Sequence, residues 1–288
     1  MSQKFIITGF ADEISSNVDV QFAHLNKLGI SYFEPRGIEG RDIADLTLDE
    51  VAALKKKMDA AGIRASSIGS PIGKIKITDP MAPHLEKLAH VIQIAKMLET
   101  NYIRVFSFYI PDGDDPKAWR DEVMNRMRQM AELAEREGVM LLHENERKIY
   151  GETADRCLDI LETVNSPALG CVYDPANFAF CGHISYPDSF RLLRDKITYF
   201  HMKDAILNGE VTPVGEGDGG VAEVLSQAVP RETPYFLSLE PHLGRFTGLD
   251  KLEADGRLDY LPDGGPDVFG VAYRALVKLL GEIGAEFE

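Results

Sequence analysis

The stretch GVMLLHENERKIYGET (138–153) runs from a helix-ending glycine through Val139, Met140, Leu141 and Leu142 into His143, Glu144, Asn145, Glu146 and Arg147, with no turn residue between. A short, continuous apolar run of this kind reads as a strand buried on both faces, as in a parallel sheet covered by helices. Such a strand aims its last side chains beyond its carboxyl end. The burst of charge is then either a solvated rim or a metal or acid/base site.

The same unit repeats on both sides of this strand. Upstream lie FIITGF (5–10), SYFEPR (31–36), IRASSIG (63–69) and the β-forming run 102–106; downstream lie LGCVYD (169–174), ITYFHMK (197–203) and YFLSLE (235–240). Segments of helical period separate them, at 18–28, 47–61, 81–98 and 116–137, then near 153–164, 186–194 and 221–228. The second opens on the capping box TLDE (47–50), and Gly62 and Gly138 close the second and fourth. A last helix at 268–283 follows strand eight. Eight apolar strands, each followed by a helix, predict a single (β/α)8 TIM barrel rather than an open doubly wound sheet. No Gly/Pro/Ser-rich linker divides residues 1–288, so one domain is expected.

Composition limits the partners. The chain has 288 residues, is 44% hydrophobic and 27% charged, and carries a net charge of −15, which opposes broad attraction to nucleic acid or an anionic membrane. The opening MSQKFIITGF is too short in its apolar run for a signal peptide, and no run approaches the roughly 20 residues of a membrane span. Three cysteines, Cys157, Cys171 and Cys181, show no CxxC spacing, which argues against a disulfide framework or a structural zinc site. A reducing cytoplasm is the expected setting.

In a (β/α)8 barrel, catalytic groups sit at the carboxyl ends of the strands and just beyond. Those ends are polar here: Glu13, then Glu34 and Arg36, Ser70 and Lys74, Arg104 and Ser107, His143 and Glu144, Asp174, His201 and Lys203, and last Glu240 and His242. Four of them, Glu144, Asp174, His201 and Glu240, end consecutive strands and are separated by 30, 27 and 39 residues. Neighbouring strands lie roughly 5 Å apart, so these ends can converge. Three carboxylates and one imidazole suit one divalent ion of the Mn, Mg, Co or Zn type with positions open to substrate oxygens. Without a cation, the packed carboxylates would raise one another's pKa.

HENE (143–146), VYDPANF (172–178), FHMKD (200–204) with GEGDGG (215–220), and SLEPH (238–242) resemble the xylose isomerase-like barrels. The resemblance is to their sugar phosphate isomerase/epimerase group, which shares its fold with ketose 3-epimerases, inosose isomerases and apurinic endonucleases. ADEIS (11–15), SPIGK (70–74) and RVFSFY (104–109) fall where that family carries its first, third and fourth strand ends, so the likeness covers nearly the whole chain. It implies that Glu144, Asp174, His201 and Glu240 are metal ligands and that Glu144 and Glu240 also serve as an acid/base pair. The arginine that ketose epimerases place shortly after the strand-seven histidine has no counterpart: Met202, Lys203, Asp204 and Ala205 follow His201. Ketohexose 3-epimerase activity is thus not carried over.

The expected chemistry is proton transfer next to a carbonyl in a sugar, sugar phosphate or polyol ketone. Lys74, Arg104, Asn177, Lys203, Arg147 and His242 are the candidate substrate contacts, while alternation sends His143 to the other face, to pack beneath a helix. GEGDGG reads as a flexible loop over the site. The rival readings are a metal-dependent dehydratase or lyase on a polyol or keto acid, and a non-catalytic sugar-binding barrel. A phosphodiesterase of the apurinic endonuclease type fits poorly with seven histidines and a charge of −15. Family members are often dimers or tetramers, so the resemblance leaves a homo-oligomer open, though no segment identifies an interface.

Overall fold

Strand β1 (Lys4–Gly9) pairs in parallel with β8 (Tyr235–Leu239), from Phe5↔Tyr235 to Gly9↔Leu239, so the first and last barrel strands are neighbours. The structure is a computed structural model and describes residues 3–207, 209–249 and 261–288. From β8 the parallel sheet continues through β7 (Ile197–Met202), β6 (Leu169–Tyr173) and β5 (Met140–Glu144) to β4 (Tyr102–Val105). The remaining strands, β2 (Tyr32–Phe33) and β3 (Arg64–Ala65), form a short parallel pair. Glu34 N donates to Gly9 O on one side of that pair, and on the other Ile68 N donates to Tyr102 O and Arg104 N to Ile68 O, each at 2.9 Å. The ring therefore closes as the expected (β/α)8 barrel.

β2 and β3 are shorter than the runs 31–36 and 63–69 suggest. Pro35 lacks an N–H for the ladder, so only single bonds such as Ser66 N to Phe33 O and Gly69 N to Pro35 O continue the pairing.

The outer helices are α1 (Val18–Leu28), α2 (Leu48–Ala61), α3 (Met81–Met97), α4 (Arg120–Glu137), α5 (Ala154–Val164) and, after β8, the long helix Pro266–Glu282. Thr47 and Glu50 form the full capping box on α2, and Gly62 ends it in the left-handed conformation. The helix expected at 186–194 is present but irregular. A π-helical turn over Ser185–Ser189 runs into the α-helical turn Phe190–Leu193 and a 3-10 turn over Arg194–Lys196, and Tyr186, before Pro187, is held extended at φ −119 and ψ 133. Helical turns not anticipated from the sequence run Pro175–Phe180, opened by Asp174 at the N-cap.

Strand alternation sorts the core. Phe5, Ile7, Leu141, Cys171, Phe200 and Leu237 face outward into one large apolar cluster beneath the helices. Leu142, Val172 and Tyr199 face inward and, with Tyr102, Met140 and Phe236, plug the lower half of the barrel. Full burial of each large apolar side chain contributes roughly 1.5–3 kcal/mol. Two residues beyond Leu142, Val172 and Tyr199, the same inward face presents Glu144, Asp174 and His201. The plug is the floor on which the site stands. None of the described helices is long and apolar enough to cross a membrane.

Candidate metal centre

Glu144, Asp174, His201 and Glu240 converge at the carboxyl end of the barrel, each buried, and offer one ligand atom apiece within 4.8 Å of one another. His201 Nδ1 lies between the glutamates, 2.8 Å from Glu144 Oε1 and 3.5 Å from Glu240 Oε2. Phe10 sits edge-on to the imidazole at 5.1 Å and Tyr199 at 5.8 Å, which leaves the ring little room to turn.

Asp174 is aimed by its own cap. One oxygen, Oδ1, accepts the Asn177 N–H at 3.0 Å, which turns Oδ2 toward Lys203. Asn145 and Asp174 exchange bonds across β5 and β6: Asn145 Nδ2 donates to Asp174 O at 2.9 Å, and Asp174 N donates to Asn145 Oδ1 at 3.0 Å. Asn177 Nδ2 donates to Asn145 O at 2.9 Å and reaches Glu144 Oε1 at 3.4 Å. These amides fix the spacing of Glu144 and Asp174.

Buried cations balance the carboxylates. Arg36 meets Glu240 Oε1 at 2.7 Å and Asp12 Oδ2 at 2.8 Å, while Arg104 stands 3.4 Å from Glu144 and 3.7 Å from Glu240. Lys203 Nζ lies 3.1 Å from Asp174 Oδ2 and 3.4 Å from Glu240 Oε2. His242 donates its backbone N–H to Glu13 at 2.9 Å and turns Nε2 toward Glu240 at 3.5 Å.

The pKa shifts follow from this packing. Burial raises Asp174 to about 7, with Lys203 opposing and Glu144 and Glu240 adding to the rise. Burial works the same way on Glu240 but is overcome by Lys203 and by hydrogen bonds from His201 and His242, which hold it well below the carboxylate range. His201 is raised well above its ordinary value: burial opposes this, and the charges of Glu144 and Glu34 prevail.

A divalent ion suits this donor set. Ligand distances of about 2.0–2.2 Å put opposing donors a little over 4 Å apart, close to the spacing found. Glu144 Oε2 and Asp174 Oδ2 are buried and ion-paired with Arg104 and Lys203 but accept no hydrogen bond, so each has a lone pair to give.

Of the remaining candidates, Arg104, Asn177, Lys203 and His242 border the cluster as described. Lys74 lies farther out, 3.3 Å from Glu146 and 4.4 Å above the Phe106 ring. Arg147 is half-buried in the loop after β5, its backbone N–H donating to Glu146 Oε1 at 2.9 Å. His143 faces outward; burial lowers it to about 3, and it packs so closely that a Cβ on Gly151 would meet its ring at 2.3 Å. GEGDGG is not slack as expected: Asp204 takes the N–H groups of Gly215, Gly217 and Gly219. Phe10, Glu34, Arg36 and Tyr199 also line the centre, although sequence reasoning gave them no role. Glu34 and Arg36 stood among the polar strand ends, which was the only available signal. A hollow of about 600 Å3 lies at the opposite end of the barrel, lined by Tyr32, Tyr102, Met140 and Phe236 among others, away from these ionisable groups.

The profile of the family described as "Xylose isomerase-like TIM barrel" matches residues 22–254. A 3-dehydroshikimate dehydratase of Bacillus anthracis is 24% identical over 261 residues, covering 83% of this chain and 90% of that protein. Among solved structures, an L-ribulose 3-epimerase superposes with a TM-score of 0.72 at 19% identity, covering 99% of this chain and 96% of its own. The IOLI protein with a bound zinc atom superposes with a TM-score of 0.71 at 14% identity, covering 98% and 99%.

Proposed function

The chain belongs to the xylose isomerase-like TIM barrel family, and from that footing we propose that it is a divalent-metal-dependent isomerase or epimerase of a sugar, sugar phosphate or related polyol ketone. One observation carries the reading: Glu144 and Glu240 reach His201 Nδ1 from strands β5 and β8, two carboxylates flanking one point. Glu144, Asp174, His201 and Glu240 would hold the ion, Mn, Mg, Co or Zn by donor type. When bound, such an ion polarises a carbonyl and brings the neighbouring C–H within reach of a carboxylate base.

The residues of the chain do the rest. Glu144 takes the proton from one face of the substrate carbon and Glu240 returns one from the other, or the pair moves a proton between neighbouring carbons. Arg104, within ion-pair distance of both glutamates, sets a positive charge between them. Lys203, His242 and Asn177 hold substrate oxygens close to the ligands, while Lys74 and Arg147 receive a more distant hydroxyl, carboxylate or phosphate. The plug of Leu142, Val172 and Tyr199 closes the site to water from below.

The test is solvent deuterium exchange: metal-loaded protein in D2O with a panel of ketoses, ketose phosphates and inososes, each recovered and analysed for the exchanged C–H. Exchange with retention of mass apart from deuterium is expected. Glu144→Gln and Glu240→Gln should each lower it by about 10²-fold or more while leaving unfolding midpoints near wild type. Full turnover in either variant would refute the acid/base assignment.

Dehydration is the second reading, favoured by the buried Lys203 ammonium between Asp174 and Glu240 and by the dehydratase relative. It begins with the same proton abstraction but expels hydroxide from the next carbon. Loss of water from a polyol or keto acid, without exchange into recovered ketose, would decide for it. Binding of a sugar with neither outcome would mark a non-catalytic barrel.

A further inference from the structure

We propose that Glu34 is the positioning residue of the metal centre: it accepts the Nε2–H of His201, keeps the proton on that nitrogen and so reserves Nδ1 for the ion. The inference rests on the metal reading above and adds a residue to it.

Glu34 is not one of the four clustered ligands. It is nonetheless a carboxylate buried to 1% exposure in the middle of the barrel, a costly placement without a partner. The structure supplies one. His201 Nε2 lies 3.3 Å from Glu34 Oε2, while Nδ1, on the other edge of the ring, faces Glu144 and Glu240. His201 Nε2 and Glu34 Oε1 are both buried with no hydrogen bond. An unmet buried donor or acceptor costs roughly 1–3 kcal/mol, so a small rotation that aligns the carboxylate with the N–H is favoured.

The carboxylate is itself held in place. Glu34 N donates to Gly9 O, and Pro35 then ends the ladder, which turns the side chain into the barrel. Below it, Tyr199 OH donates to Glu34 Oε2 at 2.9 Å and lies 2.9 Å from Ser66 Oγ, which in turn shares a 2.8 Å bond with Thr8 Oγ1. With Phe10 and Tyr199 walling the imidazole, ring flipping is blocked. The hydrogen-bond partner at Nε2 then decides which nitrogen keeps its proton. A carboxylate on the far nitrogen of a ligating histidine orients the ring and raises its basicity, and losing such a partner typically weakens metal affinity by about 10- to 100-fold.

The experiment measures Zn²⁺ affinity by chelator competition and records the ¹⁵N resonances of His201 in zinc-loaded protein. In the wild type, a proton on Nε2 and zinc on Nδ1 are expected. Glu34→Gln should weaken zinc binding by about 10- to 100-fold and disturb that single tautomer, Glu34→Asp should recover part of the loss, and Tyr199→Phe should weaken binding by a smaller factor. Thermal unfolding in chelator shows whether each variant is folded before metal is added. The proposal is overturned if Glu34→Gln binds zinc within twofold of wild type with its tautomer unchanged. Should that variant not fold, zinc on Nε2 in the wild type overturns it instead. A wild type that binds no zinc, manganese, magnesium or cobalt overturns the metal reading itself, and this inference with it.

Discussion

Asp204, two residues past the end of β7, gathers four backbone N–H groups on one carboxylate: Ala205 and Gly219 on Oδ1, both at 2.9 Å, and Gly215 at 2.9 Å with Gly217 at 3.2 Å on Oδ2. A Cβ on Gly217 or Gly219 would stand 2.4 or 2.6 Å from Oδ1. Those glycines therefore provide close approach rather than slack. Burial raises the Asp204 pKa, and the N–H bonds oppose it. Asp204→Asn replaces one acceptor oxygen by an NH2 group and leaves part of this set unmet, so a loss of about 1–3 kcal/mol is expected. Urea unfolding measures the loss, and faster amide exchange at Gly215 and Gly217 locates it. Wild-type stability with unchanged exchange would show that the carboxylate does not hold the loop. The sequence announced a glycine-rich segment but not its anchor, because the acceptor precedes the loop by about a dozen residues and pairs with backbone, which carries no side-chain code.

At the scale of elements, the strands were legible wherever both faces are buried, because a run such as MLLHE or ITYFHM stays apolar until it reaches the mouth. β2 and β3 were overextended because periodicity cannot register that Pro35 withholds a donor from the ladder. The helix expected at 186–194 forms as consecutive π, α and 3-10 turns rather than one regular helix, and Tyr186, the residue before Pro187, is out of helical space. The SPIGK loop shows the tightest local constraint. Gly73 has φ +91, and a Cβ there would fall 2.0 Å from Phe106 O, a backbone atom just past the end of β4. Its N–H donates to His84 Nε2 at 2.8 Å, and its carbonyl accepts the Phe108 N–H at 3.1 Å. Gly73→Ala must push the loop off the strand end, carrying Lys74 away from Glu146. A loss of about 1–3 kcal/mol or more is expected from overpacking alone. Gly113, with φ +88 and nothing within 4 Å, is the control: its alanine variant carries only the backbone penalty of about 1–2 kcal/mol. Equal denaturation midpoints for the two variants would remove the steric argument.

The whole molecule brings together residues that no local pattern could pair. Arg36 and Glu240 are separated by 204 residues and meet only because the ring closes β1 against β8, so both were legible as strand ends while their pairing was not. Closure also concentrates carboxylates in a buried space, and this sets a pH dependence. Asp174 is raised to about 7 from an ordinary 3.8, so it binds protons more tightly folded than unfolded. Its contribution to the stability of metal-free protein is full below about pH 3.8 and is lost as the pH rises through about 7. A divalent ion needs the opposite state, with Asp174 ionised and His201 relieved of its extra proton, which the neighbouring carboxylates hold well above its usual range. Metal affinity should therefore rise with pH, and binding should release protons. In thermal unfolding, the gap between metal-loaded and chelated protein should be small near about pH 5 and wide near about pH 8, reaching about 2.7 kcal/mol when free metal is about 100 times Kd. Calorimetric titration in buffers of different ionisation enthalpy gives the proton count directly, with one ion per chain. A gap independent of pH, or binding without proton release, would mean that the clustered carboxylates and His201 do not share the ion.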